Sequence, residues 1–178
     1  MVDDFDFGKT KLVGVVFDIS IRHDRSGNRI IDVVKDAVKR RIMVKPDDIL
    51  FFVGSPQNRI PKSCGESVQQ IDSYNDSPDF RFGTTIRHLM GQMIDTVEDV
   101  YKTIIVFTDR FDKRQKGHYI YPLETKRLRN LEIDIFYIGI GEFYDKEVLS
   151  DELKCKDGNF LHLNSLHEID DVLKKFEV

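Results

Sequence analysis

The chain has 178 residues, enough for one domain with a substantial core of its own. Apolar residues make up 40% and charged residues 33%, a balance that excludes a disordered or fibrous chain. The net charge of −4 excludes an overall field that would draw the molecule to nucleic acid or an anionic membrane, although a local basic patch fits within that total.

The two cysteines, Cys64 and Cys155, stand in no metal-type spacing. They suit a reducing interior, with one disulfide between them left open. The start, MVDDFDFGKTK, carries acidic residues where a secretory leader has basic ones and lacks an apolar centre. No apolar run approaches the roughly 20 residues of a bilayer span. The expectation is a cytoplasmic protein, or a mature fragment without its targeting sequence, and no membrane partner.

In chain order, LVGVVFDISIR (residues 12–22) is a valine-rich run of the kind that forms a strand buried on both faces. It ends in a carboxylate, a hydroxyl and a guanidinium: Asp18, Ser20 and Arg22. After a polar turn, Ile30, Ile31, Val34, Ala37, Val38 and Ile42 form one apolar stripe of a helix over residues 29–43. Residues 49–53 make a second buried strand, closed by Gly54-Ser55-Pro56. Residues 57–65 have loop composition, and the weak alternation over 67–74 predicts an edge strand. A helix is predicted over 84–97 with Thr84 as its N-cap. Residues 103–108 are a third strand, ending in Asp109, and a polar insertion over 110–117 follows. A helix over 123–131 leads to a strand over 133–140, a short helix over 145–153 and a strand over 159–163. The last helix, 165–176, opens on Ser165 and Glu168 in capping-box spacing. Such alternation predicts an α/β fold: a doubly wound, mostly parallel central sheet flanked by helices on both faces. It is expected as a single domain over residues 1–178, with its core at about 11–176.

Asp18, Ser20, Thr84 and Asp109 bring oxygen-bearing side chains to strand ends or a helix start. Strand C-termini of a parallel sheet share one edge, so these groups converge there. Two carboxylates with two hydroxyls form a hard, all-oxygen set of the kind Mg²⁺ and Mn²⁺ favour. Residues 110–129 gather Arg110, Lys113, Arg114, Lys116, Lys126, Arg127 and Arg129 against Asp112 and Glu124, giving either a basic rim or a solvated face. The five histidines show no HxxxH or HExxH spacing, and Ser20 lies in no GxSxG elbow.

The order of FDIS after the first strand, GTTIRHLM opening a helix and VFTD closing a later strand resembles the von Willebrand factor type A (vWA) domain. The tail, from IDIFYIGIGEFYDKEVLSDEL to NFLHLNSLHEIDDVL, is similar to the family's closing strand–helix–strand–helix. The resemblance runs over about residues 11–176. It implies a divalent cation bound through a DxSxS sequence, a threonine from a second loop and an aspartate from a third. Asp18 and Ser20 match the first two DxSxS positions, Thr84 the threonine and Asp109 the aspartate. Arg22 stands where the motif has its last serine, and Arg110 where the family often has glycine. A guanidinium cannot ligate a cation. Turned inward, Arg22 takes the cation's place beside Asp18 or Asp109; turned outward, it leaves a four-ligand site for Mg²⁺ or Mn²⁺.

The resemblance further implies a non-enzymatic protein-interaction module, a subunit of a larger complex. It would bind an acidic group of a partner protein at the strand C-terminal edge, with or without a divalent cation. Arg22, Arg110, Lys113 and Arg114 would form the partner-binding rim. The alternatives are a metal-assisted or aspartyl phosphoryl-transfer enzyme, and a nucleic-acid-associated module using the basic segment 110–129.

Overall fold

A computed structural model describes residues 11–19, 26–42, 49–55, 57–74, 82–95, 101–109, 126–128, 130–140 and 160–174. Within it, β1 (Lys11–Asp18), β2 (Ile49–Val53), β3 (Tyr101–Thr108), β4 (Asp134–Ile140) and β5 (Phe160–Leu163) form one sheet. Every pairing is parallel, in the spatial order β2-β1-β3-β4-β5. The helices are α1 (Ile30–Ile42), α2 (Cys64–Ser73), α3 (Phe82–Ile94) and α4 (Ile169–Leu173), and residues 126–128 are also helical. None of the described helices is long and apolar enough to cross a membrane.

The period of two along β1 sorts its side chains onto two separate cores. Val13, Val15, Phe17 and Ile19 face α1 and α4, packing with Val34, Ala37, Val38, Ile169 and Leu173. Leu12 and Val16 face α3, packing with Ile86, Leu89, Met90 and Met93. Gly14 on this second face lets α3 come close: a β-carbon there would lie 3.1 Å from Met93 Cε. With both faces covered, β1 has no polar residue from Leu12 to Phe17, which is why that stretch is an unbroken apolar run. The outer helices are tied together by charge. Lys39 meets Asp72 at 2.8 Å and Arg40 meets Asp170 at 3.3 Å.

The structure corrects three expectations. Residues 67–74 are no edge strand: Cys64–Ser73 is a helix lying against β2. Ser63 starts it, its hydroxyl accepting from the Glu66 N–H at 3.2 Å, while the Glu66 carboxylate accepts from the Lys62 N–H at 2.7 Å. The second correction concerns Thr84, which is not an N-cap. α3 already runs from Phe82 and places Thr84, exposed, inside its first turn. The neighbouring Thr85 is buried against the sheet, and that docking carries the helix back past Thr84. Third, the Ser165–Glu168 pair forms no capping box. The Ser165 hydroxyl accepts from the His167 N–H, and the Glu168 carboxylate accepts from the Asn164 N–H. A 3-10 turn over Leu166–Glu168 results, and α4 follows it.

The other strands stand where the apolar runs put them, with ends moved by up to two residues. The helix expected over 145–153 lies outside the described residues.

Candidate functional site

The chain steps from β1 to β2 on one side of the sheet, then crosses to β3 on the other side and continues outward to β4 and β5. The winding therefore reverses between β1 and β3. Helices leave the two strands toward opposite faces at such a point, opening a crevice at the carboxyl ends. Asp18 closes β1 and pairs in register with Thr108 at the end of β3.

Both side chains fall on the α3 face, since they continue the Leu12–Val16 and Ile104–Val106 alternations. The Thr108 hydroxyl, fully buried, donates to Asp18 Oδ2 at 3.1 Å. Asp18 itself is 3% exposed. A carboxylate so far from water needs charged or hydrogen-bonding company, and Thr108 supplies part of it while fixing the direction of the carboxylate. Asp109 is the next residue, half-buried, and its N–H donates to the Asp18 carbonyl at 3.3 Å. Two acids from distant parts of the sequence thus share one strand-end crevice.

The first turn of α3 packs near the same end of the sheet. A β-carbon on Gly54 would sit 2.8 Å from the Thr85 methyl and 3.0 Å from a methyl of Val16. The first turn of α3 is thereby pressed against the top of β1, one step along the same face below Asp18. Thr84 is exposed in that turn, next in sequence to the Thr85 that packs against Gly54. Ser20, Arg22, Arg110, Lys113 and Arg114 lie outside the described residues, as do most of residues 110–129; Lys126 and Arg127 are described and exposed.

The donor chemistry of Asp18, Thr84 and Asp109 fits a hard divalent cation: every donor is oxygen, and two are carboxylates. The described residues contain no group of three or more histidine, cysteine, aspartate or glutamate side chains able to hold a metal. Any cation here would depend on hydroxyls beside its carboxylates.

Sequence reasoning missed the residues that brace this edge. The loop after β2 is held by three side chains. Asn58 Nδ2 donates to the Val53 carbonyl at 3.2 Å, the His88 ring nitrogen donates to the Asn58 carbonyl at 2.8 Å, and Gln70 Nε2 donates to the Arg59 carbonyl at 2.8 Å. No sequence pattern pairs these residues. The Ser63-x-x-Glu66 spacing, by contrast, is a visible helix-start signal for α2.

No family model matches the chain, and no curated protein matches it. Solved structures do. Proximal thread matrix protein 1 from the mussel byssus, with a zinc-occupied MIDAS motif, superposes with a TM-score of 0.67 at 20% identity, covering 94% of this chain and 47% of that one. A von Willebrand factor type A structure from Catenulispora acidiphila gives a TM-score of 0.67 at 12% identity, over 94% of this chain and 42% of that one. The fold is that of a vWA domain. The manganese-loaded TRAP protein of Plasmodium vivax matches the same vWA fold with a TM-score of 0.64 at 13% identity, over 94% of this chain and 73% of that one. The chain spans about half the length of the byssus protein it matches. On the vWA fold, the crevice between β1 and β3 is the edge at which Asp18, Thr108 and Asp109 meet.

Proposed function

We propose that this chain is a non-enzymatic protein-interaction module that holds an acidic group of a partner protein at the crevice between β1 and β3. The observation that carries this is the buried Asp18 carboxylate, aimed by the Thr108 hydroxyl at the winding reversal and flanked by Asp109. Asp18, Ser20, Thr84 and Asp109 would hold Mg²⁺ or Mn²⁺. The bound cation would supply a positive centre with a position left for a carboxylate from outside the chain. Two structures of the same fold, the byssus protein and TRAP, carry zinc and manganese and support a divalent site here. Arg22, Arg110, Lys113 and Arg114 would line the rim and favour an acidic partner, with the chain acting as one subunit of a larger assembly.

The test is titration with Mg²⁺ and Mn²⁺, followed by calorimetry and thermal unfolding, on the natural chain, Asp109→Ala and Arg22→Ser. Ligand at a hundredfold excess over its dissociation constant stabilises the folded state by about 2.7 kcal/mol, on the order of 5 to 10 °C for a chain of this size. The expected result is a rise of that order in the natural chain, abolished in Asp109→Ala. A response only in Arg22→Ser establishes the guanidinium as the cation's replacement, leaving capture of the acidic group to Arg22. Silence in both the natural chain and Arg22→Ser removes the cation from the proposal.

A further inference from the structure

We infer that the loop between β2 and α2, with the outward face of α3, forms a second, basic contact surface that takes an acidic segment of the same protein partner. This rests on the function proposed above for the partner's position, and it adds residues that the crevice does not contain.

Charge pairing is uneven across the described surface. On the α1 side four cations meet acids, Arg29 with Asp32, Lys39 with Asp36 and Asp72, Arg40 with Asp170, and Lys174 with Asp171, while Lys35 donates to the Asp72 and Tyr74 carbonyls. Arg59 and Lys62, both exposed, have no ion pair or side-chain hydrogen bond among the described residues. Arg87, on the neighbouring face of α3, is already engaged, its Nε donating to the Gly83 carbonyl at 3.0 Å, so the basic character of this surface rests on Arg59 and Lys62. The one described acid in this loop and helix start, Glu66, is turned onto the Lys62 backbone N–H.

The surface is also held in shape. Gln70 fixes the Arg59 carbonyl, and Asn58 and His88 fix the preceding residue against β2 and α3. The backbone that presents Arg59 is therefore ordered before any partner arrives, which lowers the ordering entropy of binding. The His88–Asn58 contact brings the second turn of α3 to the loop. Thr84, Arg87 and His88 follow at i, i+3 and i+4, so they share one helix face. That face runs from the crevice to Arg59. An acidic chain with one carboxylate at the crevice would cross this face and lay its next acids over Arg59 and Lys62. Charges at such a rim act chiefly on the association rate and on its salt dependence.

The experiment uses the full chain and a fluorescein-labelled oligo-glutamate peptide, read by anisotropy at low salt in the presence of EDTA, which takes cation binding out of play. The natural chain should bind, and Arg59→Glu/Lys62→Glu should weaken binding about tenfold, while Lys126→Glu, a cation on the helical residues that precede β4, changes it by less than about twofold. Arg59→Gln/Lys62→Gln, which only removes charge, should fall between, and it serves if the double reversal does not fold. Absence of binding by the natural chain, an equal loss in Lys126→Glu, or tighter binding of oligo-thymidylate than of oligo-glutamate would overturn the inference. A failed metal titration with intact peptide binding removes only the cation site; the converse removes only this surface.

Discussion

Ser67 shows how much one small side chain settles. In parallel pairing, alternate residues of β2 turn their backbone groups toward and away from β1, and the Gly54 N–H bonded to the Val15 carbonyl at 2.7 Å fixes which ones face inward. Phe51 faces outward, and its N–H donates to Ser67 Oγ at 3.2 Å, while that hydroxyl donates to the Ser63 carbonyl at 3.3 Å. Ser67 is fully buried. Its replacement by alanine leaves a buried amide without an acceptor, and such an orphan costs about 1–3 kcal/mol. Ser67→Ala should lower the urea midpoint accordingly without changing the slope. An unchanged midpoint would mean that water reaches the edge of β2.

At the scale of elements, the position of α3 depends on Gly54. A β-carbon there would come within 2.8 Å of the Thr85 methyl and 3.0 Å of both Leu89 Cδ1 and Val16 Cγ2. Thr85, Leu89 and Val16 crowd the position from three sides, so relief requires the first turn of α3 to shift. Gly54→Ala should therefore destabilise by about 1–3 kcal/mol. It should also weaken divalent-cation binding, because the displaced turn carries Thr84; cation affinity equal to that of the natural chain would count against Thr84 as a ligand. The same contact explains what the sequence could show of this region. The strands were legible because burial on both faces demands runs such as LVGVVF and TIIVFT, and their parallel order puts Asp18 and Asp109 at one edge. Which threonine of the pair faces inward depends on where the helix begins, and that is set by Gly54 on a distant loop. α2 stayed hidden for a related reason: Ser67 and Ile71 form its buried face, and a serine in that stripe breaks the apolar spacing.

For the whole molecule, two side chains link separate elements through proton-dependent contacts. The hydrogen bond to Asp72 chiefly raises Lys39 above its ordinary value of 10.5. The hydrogen bond from Tyr101 to Asp134, at 2.6 Å, chiefly raises the phenol above 10.0. Both groups hold their protons more tightly in the folded chain than in the unfolded one. Their stabilising contribution is complete below these ordinary values and fades as pH rises through the folded ones. Denaturant midpoints should fall above about pH 10, with a shallower fall in Tyr101→Phe; a midpoint that climbs in that range would contradict both contacts. Both side chains are partly exposed, so the effect is small and weakens further with salt.

The covered edge of β2 bears on how copies of this molecule can assemble. A sheet open at both ends can recruit strands at each end and grow into a fibre. Here α2 has a seryl hydroxyl where an incoming strand would need the Phe51 amide. A sheet that can be extended at one end only stops at a pair. Among the described strands, β2 is therefore an edge less open to a strand from a second copy of the chain.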